Sequence, residues 1–146
     1  DNRISPLPDI SLEESTVDTE LLIGYDSVLD QQIIYNVLLN VDINYSTDSI
    51  LDVGCGAGDL YRTIKSKSKS NPLQYTGIDY NPNLIRLAEL KFPTVQFKTI
   101  DLLDADINEK FDWVFAANLF CIPMHDDMTT YTKSIFRNIV NVLLKS

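Results

Sequence analysis

The stretch I-L-D-V-G-C-G-A-G-D-L, residues 50–60, decides how the whole chain is read. A short apolar run, interrupted only by Asp52, meets glycine at every second position: Gly54, Gly56 and Gly58. A run that is apolar on both faces is the pattern of a strand buried inside a parallel sheet. Glycines placed immediately after such a strand are expected where the backbone turns sharply or where a ligand must approach the main chain. Leu60 and Ile64 then follow at helical spacing. The stretch therefore predicts a strand, a bare turn and a helix.

The glycine spacing separates the nucleotide loops from one another. A dinucleotide fingerprint starting at Gly54 needs glycine at position 59, where Asp59 stands. A phosphate-binding Walker loop needs Gly-Lys-Ser or Gly-Lys-Thr, and neither occurs. What remains is D-x-G-x-G-x-G, beginning at Asp52.

Working outward, residues 73–79 (LQYTGID) form a second predicted strand, and residues 94–100 (TVQFKTI) a third. Between them Asn81 caps a helix with Pro82 at its first position, and Leu84, Ile85, Leu87 and Ala88 are its buried face. The third strand alternates, with Val95, Phe97 and Thr99 opposite Gln96 and Lys98, as a sheet edge with one wet face does. Residues 111–117 (FDWVFAA) are a fourth, strongly apolar strand with Trp113 in the core. Upstream, Asp30 caps a helix whose Ile33, Ile34, Val37, Leu38 and Val41 make one apolar stripe. A last helix opens at Asp126 and Asp127 and closes near Lys145. Strands alternating with helices imply an α/β, doubly wound, mainly parallel sheet with helices on both faces, in the order third, second, first, fourth. Residues 1–25 read as an N-terminal arm or linker, and 26–146 as the domain.

That order places the topological switch between the first and fourth strands, where open α/β sheets bind ligands at the carboxyl ends. Three acids fall at matching places: Asp52, Asp79 and Asp101 close or follow the first three strands and are expected to line one rim. Such a lining repels a pyrophosphate and favours a cationic nucleoside. Asp79 can accept both ribose hydroxyls, Asp101 an exocyclic adenine amine, and Asp52 is expected near an ammonium.

Composition bounds the partners. The 146 residues are 45% hydrophobic and 23% charged, which fits one globular domain with a sizeable core. A net charge of −9 argues against broad nucleic-acid binding, which depends on neutralising phosphates. The one basic run, residues 65–69, sits where a helix should end and reads as lysines on a solvated face. No apolar run approaches the roughly 18 residues of a membrane span. With only Cys55 and Cys121, a disulfide framework is absent and a reducing cytoplasm is the expected location. The two cysteines are expected to be neighbours, packed as small thiols, and Cys55 is counted with the turn that lines the cofactor. His125, the single histidine, reads as a surface residue, and no closely spaced metal ligands occur.

The successive motifs LDVGCGAG, GIDYNP, TIDLLD and FDWVFAANLF resemble those of class I S-adenosylmethionine-dependent methyltransferases, whose fold is Rossmann-like. The likeness spans residues 49–144. It implies a transferase with S-adenosylmethionine as cofactor and a small-molecule substrate, while charge and hydropathy point to no nucleic acid and no membrane. It also implies roles by position. Gly54, Gly56 and Gly58 admit the methionine portion of the cofactor, and Asp52 helps hold its amino group. Asp79 takes the ribose diol, Tyr80 flanks the adenine, and Asp101 with the backbone of Leu102 reads the adenine edge. Asn118 borders the methyl donor. Amino-methylating relatives often carry Asn-Pro-Pro-Tyr or Asp-Pro-Pro-Tyr there, whereas residues 118–121 read NLFC. No catalytic residue is assigned, because a neutral sulfur leaves and alignment is the main requirement.

The family domain usually continues through three further strands, so the C-terminal strands are expected to be missing and the chain to hold the cofactor half. The fourth strand then becomes an open edge, and a homodimer through it, or cover by residues 1–25, is expected. The alternative reading is a non-catalytic binding module that retains the pocket or only its fold.

Overall fold

The structure, a computed structural model, describes residues 28–69, 73–102 and 107–118, together with Arg137. Helix α1 (Val28–Leu38) leads to strand β1 (Ile50–Val53), which the glycine turn joins to α2 (Asp59–Lys67). Then come β2 (Tyr75–Asp79), α3 (Pro82–Lys91), β3 (Gln96–Thr99) and β4 (Trp113–Phe115). All pairings are parallel, in the order β3-β2-β1-β4. This is the Rossmann-like sheet read from the strand patterns, with β3 at one edge. The expected arm at 1–25, the last helix, Cys121 and His125 lie outside the described residues.

Local chemistry explains the elements. Asn81 caps α3 with its side chain accepting from the Asn83 amide at 3.0 Å, and Pro82 occupies the first turn, where its missing N–H costs nothing. Helix α2 has Gly58 at its N-cap with no side-chain cap, and Asp59 in the first turn suits the positive end of the helix dipole. Lys65 and Lys67 stand in the last turn, where the dipole favours cations.

Alternation along the strands sorts the core into two layers. On one face Ile50, Tyr75, Phe97 and Phe115 pack with Tyr35 of α1, Leu39 just beyond it, Leu60 and Ile64 of α2, and Ile85 and Ala88 of α3. On the other, Leu51, Val53, Ile78, Leu102 and Phe111 form a second buried cluster, which contains no residue of α1, α2 or α3. Gly77, in the middle of β2, makes room for the first layer: a Cβ there would stand 2.7 Å from Phe97 and 2.9 Å from the Cys55 sulfur.

Three sequence expectations differ from the structure, the first being that Asp30 stands in the first turn of α1 and not at its cap. Helix α1 turns Gln31 and Tyr35 inward, while Ile33, Ile34, Val37 and Val41 of the apolar stripe are exposed. Trp113 is only partly buried, and its indole N–H donates to Asp48 at 2.8 Å across the start of the sheet. Of the stripe, Leu38 packs against the core, beside Tyr35 and Leu39, whose rings and branches fill the first layer. The Tyr35 hydroxyl donates to Asn118 Oδ1 at 3.0 Å, just past β4.

Candidate functional site

The glycine turn is built by its dihedrals. Gly54, Gly56 and Gly58 have φ of 71°, 55° and 85°, the left-handed region that side chains disfavour, and no other residue type in the described chain adopts it. The amides of Gly54 and Cys55 both donate to the Ile78 carbonyl, at 2.8 and 3.0 Å, so the turn is folded back against the end of β2. Gly58 also sits under aromatic rings, since a Cβ would approach Phe92 at 3.0 Å.

Asp79, the last residue of β2, ties this turn to the next helix. Its Oδ2 accepts from the Gly56 amide at 3.0 Å and its Oδ1 from the Asn81 amide at 2.9 Å. Burial raises its pKa, against the lowering effect of backbone hydrogen bonds from Asn81, Gly56 and Tyr80. Each oxygen keeps a further lone pair, so the group can still accept from a ligand. Tyr80 is half-buried beside it, and its phenol pKa is raised by burial and by the nearby charges of Asp79 and Asp101. Asp101 is exposed two residues past β3, and Leu102 is buried behind it. Asp79, Tyr80, Asp101 and the turn thus gather at the carboxyl ends of β1, β2 and β3.

Asn118 joins them from β4. It is buried, and its Nδ2 donates to the Gly54 carbonyl at 3.2 Å while its Oδ1 takes the Tyr35 hydroxyl. The chain Tyr35–Asn118–Gly54 binds α1, the end of β4 and the turn into one unit. The family resemblance pointed to Asn118, and nothing in the sequence pointed to Tyr35, whose hydroxyl gives no periodic signal.

Asp52 stands apart from the rim. The register pairs it with Gly77, two residues short of Asp79 along the sheet, or about 6.6 Å by strand rise. It is fully buried, with Oδ2 accepting from the Tyr75 hydroxyl at 2.6 Å and Oδ1 unpartnered. Burial pushes its pKa up to about 7, with the Tyr75 bond pulling the other way. Cys55 is equally buried, and burial raises its thiol pKa well above the ordinary value, so it is a packed thiol rather than a nucleophile.

Among the described residues no group of three histidine, cysteine or acidic side chains could hold a metal ion, and no helix is long and apolar enough to cross a membrane. A cavity of about 510 Å³, lined by Tyr61, Tyr75, Thr76 and Gln96, opens near the amino ends of the strands. It lies at the opposite end of the sheet from the turn, whereas ligands of open α/β sheets sit at the carboxyl ends.

Comparison with known proteins agrees with this geometry. Protein 235L of Invertebrate iridescent virus 6 is 33% identical over 78 residues, 53% of this chain and 28% of that protein. The malonyl-[acyl-carrier protein] O-methyltransferase of Acetivibrio thermocellus is 33% identical over 85 residues, 57% of this chain and 29% of that protein. The chain therefore spans under a third of the length of these curated relatives. The structure of magnesium protoporphyrin IX methyltransferase from Synechocystis PCC 6803 with bound SAH superposes with a TM-score of 0.63 at 20% identity, covering 86% of this chain and 62% of that one. A family model described as a methyltransferase domain matches residues 50–143. The strand–turn–helix at residues 50–60 is thus the opening of a known domain, and the chain belongs to the methyltransferase domain family.

Proposed function

We propose that the protein binds S-adenosylmethionine at the glycine turn and transfers its methyl group to a small molecule. The observation that carries this reading is Asp79. A carboxylate at the end of β2 holds the turn through Gly56 and faces Tyr80 and Asp101, which is a lining suited to a cationic adenosyl ligand and hostile to a pyrophosphate. Its remaining lone pairs suit a ribose diol, Tyr80 offers a ring face to the adenine, and Asp101 with the Leu102 backbone offers acceptor and donor to the adenine edge. Gly54, Cys55, Gly56 and Gly58 present main chain to the amino-acid end, with Asn118 at the border with the methyl group. Asp52 supports the turn from below, in contact with Tyr75.

When bound, the cofactor supplies an activated methyl on a positively charged sulfur. The chain's residues bind and orient it and exclude water, and no proton transfer is assigned to any of them. Homodimer formation through the outer edge of β4 and residence in a reducing cytoplasm, where the buried Cys55 thiol stays free, belong to the same reading.

The test is incubation of the 146-residue chain with methyl-labelled S-adenosylmethionine and pools of small-molecule acceptors. Label is expected in a small-molecule product. Cofactor binding without transfer to any acceptor would favour the alternative, a non-catalytic module that retains the pocket.

A further inference from the structure

The exposed apolar side chains of the fold are concentrated on one helix. Leu29, Ile33, Ile34, Val37 and Val41 lie on α1 or just past it, and among the described residues only Leu90 joins them as a large exposed hydrophobic. Val37 is 70% exposed and Leu29 65%. Leu29, Ile33 and Val37 follow at four-residue spacing and so form one stripe. The exposed Gln32 and Asn36 beside them carry no charge. A contiguous apolar face of this kind marks a docking surface.

Beyond the Val41 end of this stripe lies the basic run that the cofactor reading leaves unused. Asp42, Asn44 and Tyr45 line a hollow of about 500 Å³ together with Lys67 and Lys69, at the end of α2. Lys65, Lys67 and Lys69 are exposed. Neither ion pair of the described residues, Arg62–Asp59 or Lys98–Glu109, includes them.

We propose that residues 9–25 of this chain fold back along α1, seating Val17, Leu21, Leu22 and Ile23 on the stripe and Glu13 and Glu14 against the lysines. Connectivity carries the choice. Only residues 24–27, with Gly24 to permit a sharp reversal, separate Ile23 from Val28. The arm therefore starts at the Leu29 end of the stripe, where the short tether gives it a high effective concentration. From Leu29 to Val37 is roughly 12 Å along the helix. The nine residues from Ile23 back to Glu14 span roughly 14 Å as a helix or 30 Å extended. In either form the acids reach the Val37 end, toward the basic run. Charge favours the arm over a second copy. The arm holds Asp9, Glu13, Glu14, Asp18 and Glu20, with Arg3 the single base before Val28, whereas a second copy brings the same lysines to the same stripe. With the arm on α1, the outer edge of β4 is left to the homodimer.

Limited proteolysis of the full chain with a glutamate-specific protease reads the arm directly, because Glu13, Glu14 and Glu20 lie in it. Cleavage of a segment that opens and recloses quickly tracks its open population. Ile33→Gln combined with Val37→Gln alters two side chains that the described fold leaves exposed. It should speed cleavage at the three arm sites by about tenfold or more, with cleavage after Glu89 in α3 unchanged. Leu21→Gln combined with Leu22→Gln, from the arm's side, should do the same. Lys67→Gln combined with Lys69→Gln should speed arm cleavage in dilute buffer and lose that effect in about 1 M salt. Arm cleavage as fast in the wild type as in both apolar variants overturns the proposal. So does a dimer that Ile33→Gln with Val37→Gln converts to a monomer at unchanged arm cleavage, which would make α1 the seat of a second copy.

Discussion

Replacing Asp52 with asparagine is expected to stabilise the protein at pH 8 far more than at pH 5. In the folded chain burial holds the Asp52 carboxyl at a pKa of about 7, well above that of the same group in an unfolded chain. The folded state therefore binds a proton that the unfolded state has lost. Stability from this group is fully present below the unfolded pKa and is lost as pH rises toward 7, at about 1.4 kcal/mol per pH unit. Between pH 5 and pH 8 the variant's advantage should grow by about 3 kcal/mol, because asparagine has no proton to lose and still accepts from the Tyr75 hydroxyl. Denaturant titrations of both proteins across that range check it. An advantage that does not change with pH would mean that Asp52 is not the buried titrating group.

Asp79→Ala is the second large effect, and it should appear in two measurements at once. The affinity for S-adenosylhomocysteine is expected to fall by about 1.5–3 kcal/mol, the scale of hydrogen bonds to a charged acceptor. Stability should fall by about 1–3 kcal/mol as well, because the amides of Gly56 and Asn81 lose their acceptor. Asp79→Asn keeps one acceptor oxygen and should fall between wild type and alanine in both. Calorimetric titration well below the melting temperature separates binding from folding. Unchanged affinity in a folded alanine variant would remove Asp79 from the site.

These two carboxylates show what the sequence could and could not reveal. Both follow apolar residues in strands that are legible from the hydropathy pattern, and the glycines after β1 identify the turn because few conformations demand three of them in alternation. Asn81 and Pro82 likewise announced α3 through local chemistry. The depth of each acid was not legible. Asp52 and Asp79 each lie near the end of a predicted strand, yet the register sets Asp52 two residues lower, and only the paired sheet reveals that offset. The orientation of α1 was hidden for a related reason. Its apolar stripe, Ile33, Val37 and Val41, gives the stronger periodic signal, but Tyr35 turns inward, with its ring in the core and its hydroxyl on Asn118 across 83 residues of sequence. Pattern reading sees burial preference and misses a long-range polar contact that overrides it.

The central claim is that the acid-lined glycine turn holds an adenosyl sulfonium cofactor rather than a pyrophosphate-bearing one. Parallel calorimetric titrations of the chain with S-adenosylhomocysteine and with NADH test it most directly. The account predicts saturable binding of S-adenosylhomocysteine at one site per chain, weakened by about 1.5–3 kcal/mol on Asp79→Ala, and no heat from NADH. Saturable binding of NADH with none of S-adenosylhomocysteine would contradict it.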